Sequence, residues 1–369
     1  MSLMEEGYRV VAIAPPDDSS DKILEMGCGY IPLAMDNRGA NPFRDALLTW
    51  RLRSLYKSLQ PAMIWHYTIK PSIYGSIAAG LVGLRSIPVI TGLGFALMHG
   101  GWLAKMVKLL YRVAFRFVDE IWFLNADDRQ LFIDEGLVTH GQGEVLRSEG
   151  VNTSHFLRVL PSSGIAVGRF GFQTVASSST FAFLLIGRML WDKGVGEYVD
   201  AAREIRREFP DCEFRLLGFL DVPSRSAISR DQMSSWVTEG VIKYLGSVED
   251  VRQHIAAADC VVLPSYREGT PRTLLEAASM GRPIITTDAV GCRQVVDDGI
   301  NGYLVKVRDA GDLAAKMRTM LCASAAEREL MGRKGREKIE REFDEKIVIK
   351  IYLSYLGDAT KCLPPKTAR

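Results

Sequence analysis

Short apolar runs alternate with longer amphipathic stretches along most of the 369-residue chain, and this alternation limits the possible folds more than any other feature. A short apolar run predicts a buried strand, and an amphipathic stretch predicts a helix. Regular alternation of the two favours an α/β fold, with a parallel sheet covered by helices. The strands predicted in the first half of the chain are Val10–Ala14, Ala62–Tyr67, Pro88–Thr91 and Ile121–Leu124.

The alternation stops once and then resumes. Residues 161–180 are rich in Ser and Gly and lack periodicity, which is typical of a linker. The strands predicted after it are Phe181–Ile186, Glu213–Leu217, Val241–Leu245, Cys260–Pro264, Pro283–Thr286 and Gly302–Val305. We therefore expect two doubly wound, Rossmann-like lobes, residues 1–160 and 181–345. Ligands of such folds bind at the carboxyl ends of strands, so the cleft between the lobes is the expected site.

The end of the chain is charged and predicted to be helical. Residues 325–356 favour a solvated amphipathic helix packed on the second lobe. The alternative is that this segment crosses back and braces the first lobe. We treat residues 346–369 as a separate C-terminal helix and tail.

Composition excludes several function classes. The formal net charge is only +2, so nucleic acid is not an expected partner. The six cysteines include no CxxC pair or zinc-ligand spacing, which predicts thiols in a reducing compartment and no metal site. The chain has no run of 18 apolar residues and its first residues do not resemble a signal peptide, so we expect a cytoplasmic location.

The most informative segment is DCVVLPSYREGTPRTLLEAASMGRPIITTDAVGCRQVV, residues 259–296. Its apolar strand ends at Pro264, and a loop leads to a helix in whose first turn Pro271 is well placed. The free backbone N–H groups of Thr270, Arg272 and Thr273 at this helix start are predicted to bind a phosphate. Gly269 allows the backbone to approach a ligand closely.

Two carboxylates flank this predicted anion site. Glu268 precedes the helix and Glu276 lies in its second turn, and carboxylates accept strong hydrogen bonds from sugar hydroxyls. Two glutamates at this spacing occur by chance in many proteins, so the weight comes from the surrounding strand, E-G-x-P, helix and GRPIIT strand. A nucleotide sugar, with a diphosphate between two polyol ends, is the ligand that this pattern favours.

The E-x7-E element from Glu268 to Glu276 resembles the signature of the retaining family-four glycosyltransferases, which have the two-lobed GT-B fold. The segment FLLIGRMLWDKGVGEYVDAA, residues 183–202, is similar to a second motif of that family. The resemblance implies that Arg188 and Lys193 neutralise the donor diphosphate and that no metal is needed. The alternative for these two cations is ordinary surface charge.

The same resemblance implies roles for the rest of the segment. Glu268 would hold the sugar hydroxyls and act with Arg188 and Lys193 as a catalytic residue, and Glu276 would hold the ribose. The further donor-binding positions that the resemblance implies are Gly187, Gly269, Thr270, Pro271, Arg272, Thr273 and Leu275.

Motifs of the first lobe resemble the branch that builds capsule, O-antigen and other lipid-linked glycans. They lie at residues 66–79, 90–97 and 125–138. The resemblance implies retaining transfer of a hexose or N-acetylhexosamine, with a UDP-sugar as expected donor and a polyprenyl-diphosphate-linked glycan as acceptor.

Four residues are candidates for the acceptor or sugar side: His66, Lys70, Gly92 and Gly94. Tyr67 stands where relatives often place a histidine, and a shift of one residue turns a strand side chain to the other face. Lys70 is therefore the stronger candidate, with a solvated loop lysine as its alternative. Gly92 and Gly94 belong to TGLGFA, which lacks the spacing of a dinucleotide loop. These glycines would let the backbone approach the donor or acceptor closely, and the alternative is a tight strand-to-helix turn without a ligand.

One helical stretch indicates a membrane contact. In residues 101–118, Lys105, Lys108, Arg112 and Arg116 form a basic stripe near Trp102, Leu109 and Phe117. A basic amphipathic helix binds an anionic membrane surface, although the same pattern fits a lobe helix with a solvated basic face. A lipid-linked acceptor favours a protein that is peripheral on the inner face of the plasma membrane.

The start of the chain departs from the family pattern. MSLMEEGYRVVAIAPP begins where the family's first helix ends, so we expect the first lobe to lack its N-terminal strand. Two neighbouring strands would then keep unpaired backbone groups, which is costly. The missing strand would therefore affect the acceptor side of the site, and the sequence does not predict whether the chain is fully active. The alternatives are a non-catalytic or acceptor-impaired nucleotide-sugar-binding protein and a nucleotide-sugar epimerase of the same fold.

Overall fold

The computed structural model describes residues 1–17, 20–35, 41–93, 100–157 and 180–361. Gly94 and the predicted linker up to residue 179 lie outside these ranges. The chain forms two compact units. Unit 1 consists of Met1–Leu146 and Lys346–Arg369, and unit 2 consists of Arg147–Glu345.

Strands and helices alternate in the first part of unit 1, as predicted. Its strands are β1 (Val11–Ala14), β2 (Gly29–Pro32), β3 (Ile64–Tyr67), β4 (Ser86–Ile90), β5 (Ile121–Phe123) and β6 (Gly143–Val145). Its helices are α1 (Ser2–Glu5), α2 (Ser20–Glu25), α3 (Pro42–Leu59), α4 (Ser76–Gly80), α5 (Gly101–Ala114) and α6 (Ala126–Asp134). A π-helical turn, Pro71–Gly75, leads directly into α4, and a 3-10 turn, Phe115–Phe117, follows α5.

Unit 2 repeats the alternation. Its strands are β7 (Ala182–Ile186), β8 (Glu213–Leu217), β9 (Lys243–Tyr244), β10 (Cys260–Leu263), β11 (Ile284–Thr287) and β12 (Gly302–Val305). Its helices are α7 (Val195–Glu208), α8 (Arg230–Thr238), α9 (Arg252–Ala256), α10 (Arg272–Ser279), α11 (Ala310–Cys322) and α12 (Ala325–Glu342), and a 3-10 turn spans Trp191–Lys193. The last helix, α13, runs over Glu345–Lys361.

The strands of unit 1 form two parallel sheets. Strands β3, β4, β5 and β6 make a four-stranded sheet in that order, and β1 pairs only with β2. Within the ranges that the structure describes, no strand joins the two sheets, so unit 1 does not form one continuous sheet.

The four-stranded sheet has helices on both faces, because successive side chains of a strand point to opposite sides. Ile64 packs with α3 and α4, while Ile90 and Phe123 pack with α5. On the other face, Val89 and Trp122 pack with α13. Helices α3, α4 and α5 therefore form one layer, and α13 covers the opposite side of the sheet.

Unit 2 contains one six-stranded parallel sheet in the order β12-β11-β10-β7-β8-β9. Val199 of α7 and Leu313 of α11 belong to the core on one face, and Leu274 of α10 and Ile339 of α12 belong to the core on the other. Strands β7 and β10 are hydrogen-bonded neighbours. The loops that follow these two strands therefore leave the same edge of the sheet side by side.

The division between the units falls at Leu146 rather than near residue 160. The reason is that the residues after Leu146 pack into unit 2. The Val151 N–H donates to the Phe343 carbonyl at 2.9 Å, and the Thr153 hydroxyl donates to Asp344. Phe156 packs against a core of unit 2.

The C-terminal segment forms two helices, α12 and α13. One packs on the second lobe and the other on the first, so each of the two alternatives applies to one helix. Helix α12 packs against α10 in unit 2, as the first interpretation held. Helix α13 places Val348 and Leu356 in a core of unit 1 with Ile87 and Trp122. The crossing-back interpretation therefore applies to α13, which is part of unit 1 and not a separate tail.

Candidate active site

The predicted catalytic pair Lys193 and Glu268 meets at the carboxyl edge of the sheet of unit 2. Lys193 ends the 3-10 turn after β7, and Glu268 lies in the loop after β10. The Lys193 ammonium forms an ion pair with Glu268, and the Ser265 hydroxyl donates to the same carboxylate oxygen at 2.7 Å. Both side chains of the pair are largely buried. The pair is therefore an oriented, partly desolvated charge cluster.

Backbone contacts fix the two loops that carry this pair. The Tyr266 N–H donates to the Asp192 carbonyl at 2.9 Å, which joins one loop to the other. Gly194 has a φ of +73°, and a Cβ there would lie 2.1 Å from the Pro264 carbonyl oxygen. Only glycine permits this approach.

The start of helix α10 adds backbone donors beside the pair. Pro271 is the N-cap with an extended ψ of 110°, so the helix begins at Arg272, one residue later than predicted. The N–H groups of Arg272 and Thr273 donate to no residue in the part of the chain that the structure describes. These two donors, with the positive end of the helix dipole, can bind an anion.

Glu276 is buried in the second turn of α10. Its nearest cation is the Arg272 guanidinium, with a long 3.8 Å separation between Nε and Oε1. Its carboxylate accepts no hydrogen bond from the residues that the structure describes. Burial raises the pKa of the Glu276 carboxyl to about 6, against the opposite effect of Arg272. A desolvated carboxylate without a donor is suited to accept hydrogen bonds from a ligand's hydroxyls.

Arg188 and Gly187 follow β7 at the same edge. The Arg188 side chain is exposed and forms no ion pair with any residue of the described ranges. A Cβ on Gly187 would meet no atom within 4 Å, whereas one on Gly218 would lie 1.9 Å from the Gly187 carbonyl oxygen. The space beside Gly187 is therefore open, and Gly218 is what lets β8 end so close to it.

The other predicted donor-binding positions divide into two kinds. Gly269 and Thr270 lie in the loop next to Glu268, and the Thr270 hydroxyl donates to the Arg147 carbonyl at 2.7 Å. Leu275 was expected at the donor, but its side chain is buried in the core beneath α10. Its physical role is to hold the helix on the sheet.

Two residues that hold this loop were missed by the sequence analysis. The Gln294 amide donates to the Thr270 hydroxyl and to the Arg147 carbonyl, the latter at 3.1 Å. Gly291 has a φ of +80°, and a Cβ there would lie 2.4 Å from the Glu268 carbonyl oxygen. The glycine in AVGCRQ was the one available signal, because it sits in a polar turn soon after a strand.

His66, predicted on the acceptor side, lies in the interior of unit 1. Its Nε2 is 3.0 Å from the Tyr56 hydroxyl and its Nδ1 is 3.3 Å from the Ser76 hydroxyl. Burial lowers the pKa of His66 to about 3. A Cβ on Gly75 would lie only 2.6 Å from the imidazole ring. His66 is thus a neutral core residue, because residue 66 points toward the helix layer of α3 and α4.

Lys70 is also engaged internally. Its ammonium forms a 2.6 Å ion pair with Asp45 in the first turn of α3, and the Tyr74 hydroxyl donates to the other oxygen of Asp45 at 3.0 Å. All of these polar atoms come from unit 1, and both charged side chains are largely buried. Lys70 is therefore neither a solvated loop lysine nor an unpaired cation.

Gly92 lines a cavity of about 300 Å³ at the carboxyl ends of β3 and β4. The other lining residues include Thr68, Ile69, Val89, Ile90 and Tyr111. Thr68 has a φ of +68°, which is uncommon for a β-branched residue and is a strain typical of functional positions. Gly94 lies outside the described residues.

The expected basic stripe of α5 is partly tied to its neighbours. Lys108 forms a 2.7 Å ion pair with Glu135, and Arg112 donates to the carbonyls of Glu135 and Gly136. Trp102 and Leu109 are exposed. In the described part of the chain, no helix is both long and apolar enough to cross a membrane.

Two family models match the chain. A model described as "Glycosyl transferase 4-like" matches residues 1–125. A second, described as "Glycosyl transferases group 1", matches residues 180–323 and so includes Arg188, Lys193, Glu268 and Glu276.

Similar proteins are found among characterised and solved proteins. The N,N'-diacetylbacillosaminyl-diphospho-undecaprenol alpha-1,3-N-acetylgalactosaminyltransferase of Campylobacter jejuni is 25% identical over 95% of this chain and 92% of its own length. A glycosyltransferase from Rickettsia africae has a TM-score of 0.78 at 14% identity, covering 98% of this chain and 93% of that one. Anabaena HepE in complex with UDP-glucose has a TM-score of 0.75 at 18% identity, covering 94% and 91%.

The fold, the regions matched by the family models and the geometry of the site all indicate a glycosyltransferase. The two structural similarities extend over both units, and the family models cover the predicted donor residues of unit 2 and the sheet-forming first part of unit 1. The chain belongs to the group-1, family-four-like glycosyltransferases and has their GT-B fold.

Proposed function

We propose that this glycosyltransferase moves a hexose or N-acetylhexosamine from a UDP-sugar to a polyprenyl-diphosphate-linked glycan, with retention, in cell-surface polysaccharide synthesis. The observation that carries the donor half of this proposal is the cluster in unit 2. There the Lys193–Glu268 pair lies in the loops after β7 and β10, and the second of these loops leads to α10. The first N–H groups of α10 have no partner among the described residues, and the carboxylate of Glu276 in its second turn is buried.

In the proposed reaction the bond between the anomeric carbon and the diphosphate oxygen breaks. The acceptor hydroxyl forms the new bond on the same face of the sugar, and its proton passes to the leaving diphosphate. Negative charge grows on the diphosphate, so cations and backbone donors aimed at it stabilise the transition state. Arg188, Lys193 and the start of α10 are the groups that we assign to this charge.

The two glutamates are assigned to the two polyol ends of the donor. Glu276 would accept hydrogen bonds from the ribose hydroxyls, which would replace the partners that its buried carboxylate lacks. Glu268 would accept them from the transferred sugar. In the free protein, Lys193 and Ser265 keep the Glu268 carboxylate oriented, which lowers the cost of ordering it when the donor binds.

The UDP donor is supported by the structural similarity to HepE, which was solved with UDP-glucose. We expect no metal, since the assigned cations and backbone donors neutralise the diphosphate. The lipid-linked acceptor is supported by the name of the Campylobacter jejuni relative. For the acceptor side, we favour the cavity lined by Gly92 and Thr68 over Lys70 and His66, because both of those side chains are engaged within unit 1.

A polyprenyl-linked acceptor and a nucleotide-sugar donor would meet at the inner face of the plasma membrane. We therefore propose a cytoplasmic protein that is peripheral on that face. The helix within residues 101–118 is the contact that the sequence suggested, and its Trp102 and Leu109 side chains are exposed.

The test is a screen of UDP- and GDP-sugars against polyprenyl-diphosphate-linked acceptors, with the anomeric configuration of the product read by NMR. Transfer from a UDP-sugar with retention supports the proposal, and an inverted product contradicts it. Conversion of free UDP-GlcNAc without acceptor would favour the epimerase alternative. Calorimetric binding of UDP-sugars without turnover on any acceptor would favour the binding protein.

A further inference from the structure

Helix α5 has an exposed apolar ridge on the side opposite its buried face. Its buried residues are Ala104, Val107, Tyr111 and Ala114. Trp102, Leu109 and Val113 fall within about 40° of one another on the helix circumference, and all three are exposed, Trp102 to 73%. A contiguous exposed apolar strip on a helix whose other side is already buried is typical of a surface that binds a partner.

Helix α3 repeats this pattern of a buried side and an exposed apolar side. Leu48, Leu52 and Tyr56 are buried. On the opposite side, Phe43, Leu47 and Trp50 fall within about 60° of one another and form a second ridge. Phe43 is 86% exposed and Trp50 is 61% exposed, so the α3 ridge shows more aromatic surface than the α5 ridge.

The two ridges belong to one layer of unit 1. Both helices contact the π-helical turn Pro71–Gly75 and helix α4. The buried side of α3 shares a core with Ala78 and that of α5 shares one with Ile73, above the same face of the four-stranded sheet. Because both buried sides face the sheet, both ridges point away from it on the same side of unit 1.

Basic residues flank both ridges. Eight lie on α3, on α5 and in the turn after α5: Arg44, Arg51, Arg53, Lys57, Lys105, Lys108, Arg112 and Arg116. Helix α5 contains no carboxylate, and the only one of α3, Asp45, is buried against Lys70. Glu135 of α6 pairs with Lys108. The whole chain has a formal net charge of only +2, so this layer holds a marked local excess of positive charge.

We propose that the outward side of α3 and α5, the ridges Phe43/Leu47/Trp50 and Trp102/Leu109/Val113 with their basic flanks, is a single surface that binds an anionic phospholipid bilayer. Aromatic and aliphatic side chains enter the interface, and the cations bind the lipid phosphates. A second copy of the chain would bring two basic surfaces together, which Coulomb repulsion opposes. The inference deepens the proposed function and rests on it only for the lipid-linked acceptor.

The experiment is co-sedimentation of the full chain with vesicles of phosphatidylglycerol and phosphatidylcholine, and with phosphatidylcholine alone. We expect binding only to the anionic vesicles and loss of binding at high salt. The double variants Phe43→Ser/Trp50→Ser and Trp102→Ser/Leu109→Ser should each weaken binding by roughly tenfold or more. A matched control is Val237→Ser/Leu330→Ser, which removes apolar side chains of 43% and 45% exposure from unit 2.

Circular dichroism and UDP-sugar binding should be unchanged in both ridge variants, which separates a lost surface from a lost fold. Lys193→Ala should bind vesicles as the wild type does, so failure of the proposed chemistry is distinguishable from failure of this inference. The proposal is overturned if the wild type does not bind anionic vesicles. It is also overturned if Phe43→Ser/Trp50→Ser binds them as strongly as the control Val237→Ser/Leu330→Ser. It is equally overturned if the ridge variants abolish dimerisation instead of vesicle binding.

Discussion

Both units place a lysine–carboxylate pair in a polar cluster after a buried strand, yet the two pairs differ in what surrounds them. In unit 2, the loops that carry Lys193 and Glu268 follow β7 and β10. The exposed Arg188 and the start of α10 belong to the same segments, and the first N–H groups of α10 have no partner among the described residues. In unit 1, Lys70 and Asp45 are closed off by Tyr74, and the nearby His66 is held between Tyr56 and Ser76. The first cluster has unfilled binding capacity, whereas the second has its hydrogen bonds satisfied within the fold.

The comparison teaches that a charged residue after a strand is not by itself a site. What distinguishes a binding cluster is polar groups left without a protein partner, since leaving them so costs stability that only a ligand recovers. We therefore expect removal of Lys193 to harm turnover and removal of Lys70 to harm folding.

The largest expected effect is that of Lys193→Ala on turnover. Loss of one preorganised charge at the leaving group should lower kcat by about 10²–10³, with the fold retained as judged by circular dichroism. Steady-state kinetics with the UDP-sugar identified by the screen would measure it. Lys243→Ala is the matched control, because Lys243 is also paired with a glutamate but is exposed. Wild-type turnover in both variants would remove Lys193 from the mechanism.

Lys70→Ala tests the other half of the comparison. Breaking a buried pair leaves Asp45 without its cation and should lower the free energy of unfolding by about 3 kcal/mol. Urea denaturation would measure the loss. The double variant Asp45→Asn/Lys70→Met should recover much of it, because no charge is then left unpaired. If Lys70→Ala instead keeps full stability and abolishes transfer, Lys70 is an acceptor contact and the comparison fails.

His66 should make the protein sensitive to acid. Burial lowers its pKa from 6.5 to about 3, so the unfolded chain takes up a proton below pH 6.5 while the folded chain does not. The free energy of unfolding should therefore fall with pH below 6.5, by up to about 1.4 kcal/mol per pH unit from this group. Urea titrations from pH 7 to pH 4 should show a shallower decline for His66→Asn. An identical decline would mean that the imidazole is accessible to solvent.

Glu276→Gln should have the smallest effect on the free energy of unfolding. Its sign is opposite to that of His66, because ionised Glu276 lowers stability at high pH and not at low pH. The pKa of this carboxyl rises from 4.5 to about 6 on folding, so ionised Glu276 destabilises the protein above pH 6, and this cost disappears below pH 4.5. The variant should be more stable by roughly 1–2 kcal/mol at pH 7.5 while it binds the UDP-sugar more weakly. Melting curves at pH 7.5 and pH 4.5 measure the first effect, and calorimetry the second.

The control for this prediction is Glu239→Gln, because Arg203 lowers the pKa of that exposed carboxyl. It should gain no stability at pH 7.5. Unchanged donor affinity in Glu276→Gln would contradict the assignment of Glu276 to the ribose.

The strand–helix alternation was sufficient to predict two α/β lobes, because buried parallel strands are continuous apolar runs. The chemical pattern around Glu268 was local in sequence, so its loop and helix were predictable to within one residue. Its partner Lys193 is 75 residues away and was found through a second motif. The donor contact of Leu275 stays a prediction: its side chain is buried, and a motif identifies a position without saying whether the side chain or the backbone is used.

The errors in unit 1 have a common cause in long-range packing. Helices cover both faces of the sheet, so the contacts of His66 depend on whether residue 66 points toward α3 and α4 or toward the other face, and the sequence of the strand does not state this. Lys70 forms its ion pair with Asp45, which lies 25 residues earlier in the chain, and no sequence motif links the two residues. The α3 ridge was missed because Phe43 and Trp50 are recognisable as exposed only once the buried side of the helix is known.

The placement of α13 affects the order in which the protein is completed during synthesis. Unit 2 is continuous from Arg147 to Glu345, whereas unit 1 needs residues from both ends of the chain. Val348 and Leu356 of α13 fill a core that contains Trp122 of β5. The face of the four-stranded sheet that carries Trp122 therefore stays uncovered until the ribosome has made α13. The unit that begins first is thus finished last. Nascent chains stalled before residue 346 should therefore expose an apolar sheet face that chaperones bind, while unit 2 is already folded.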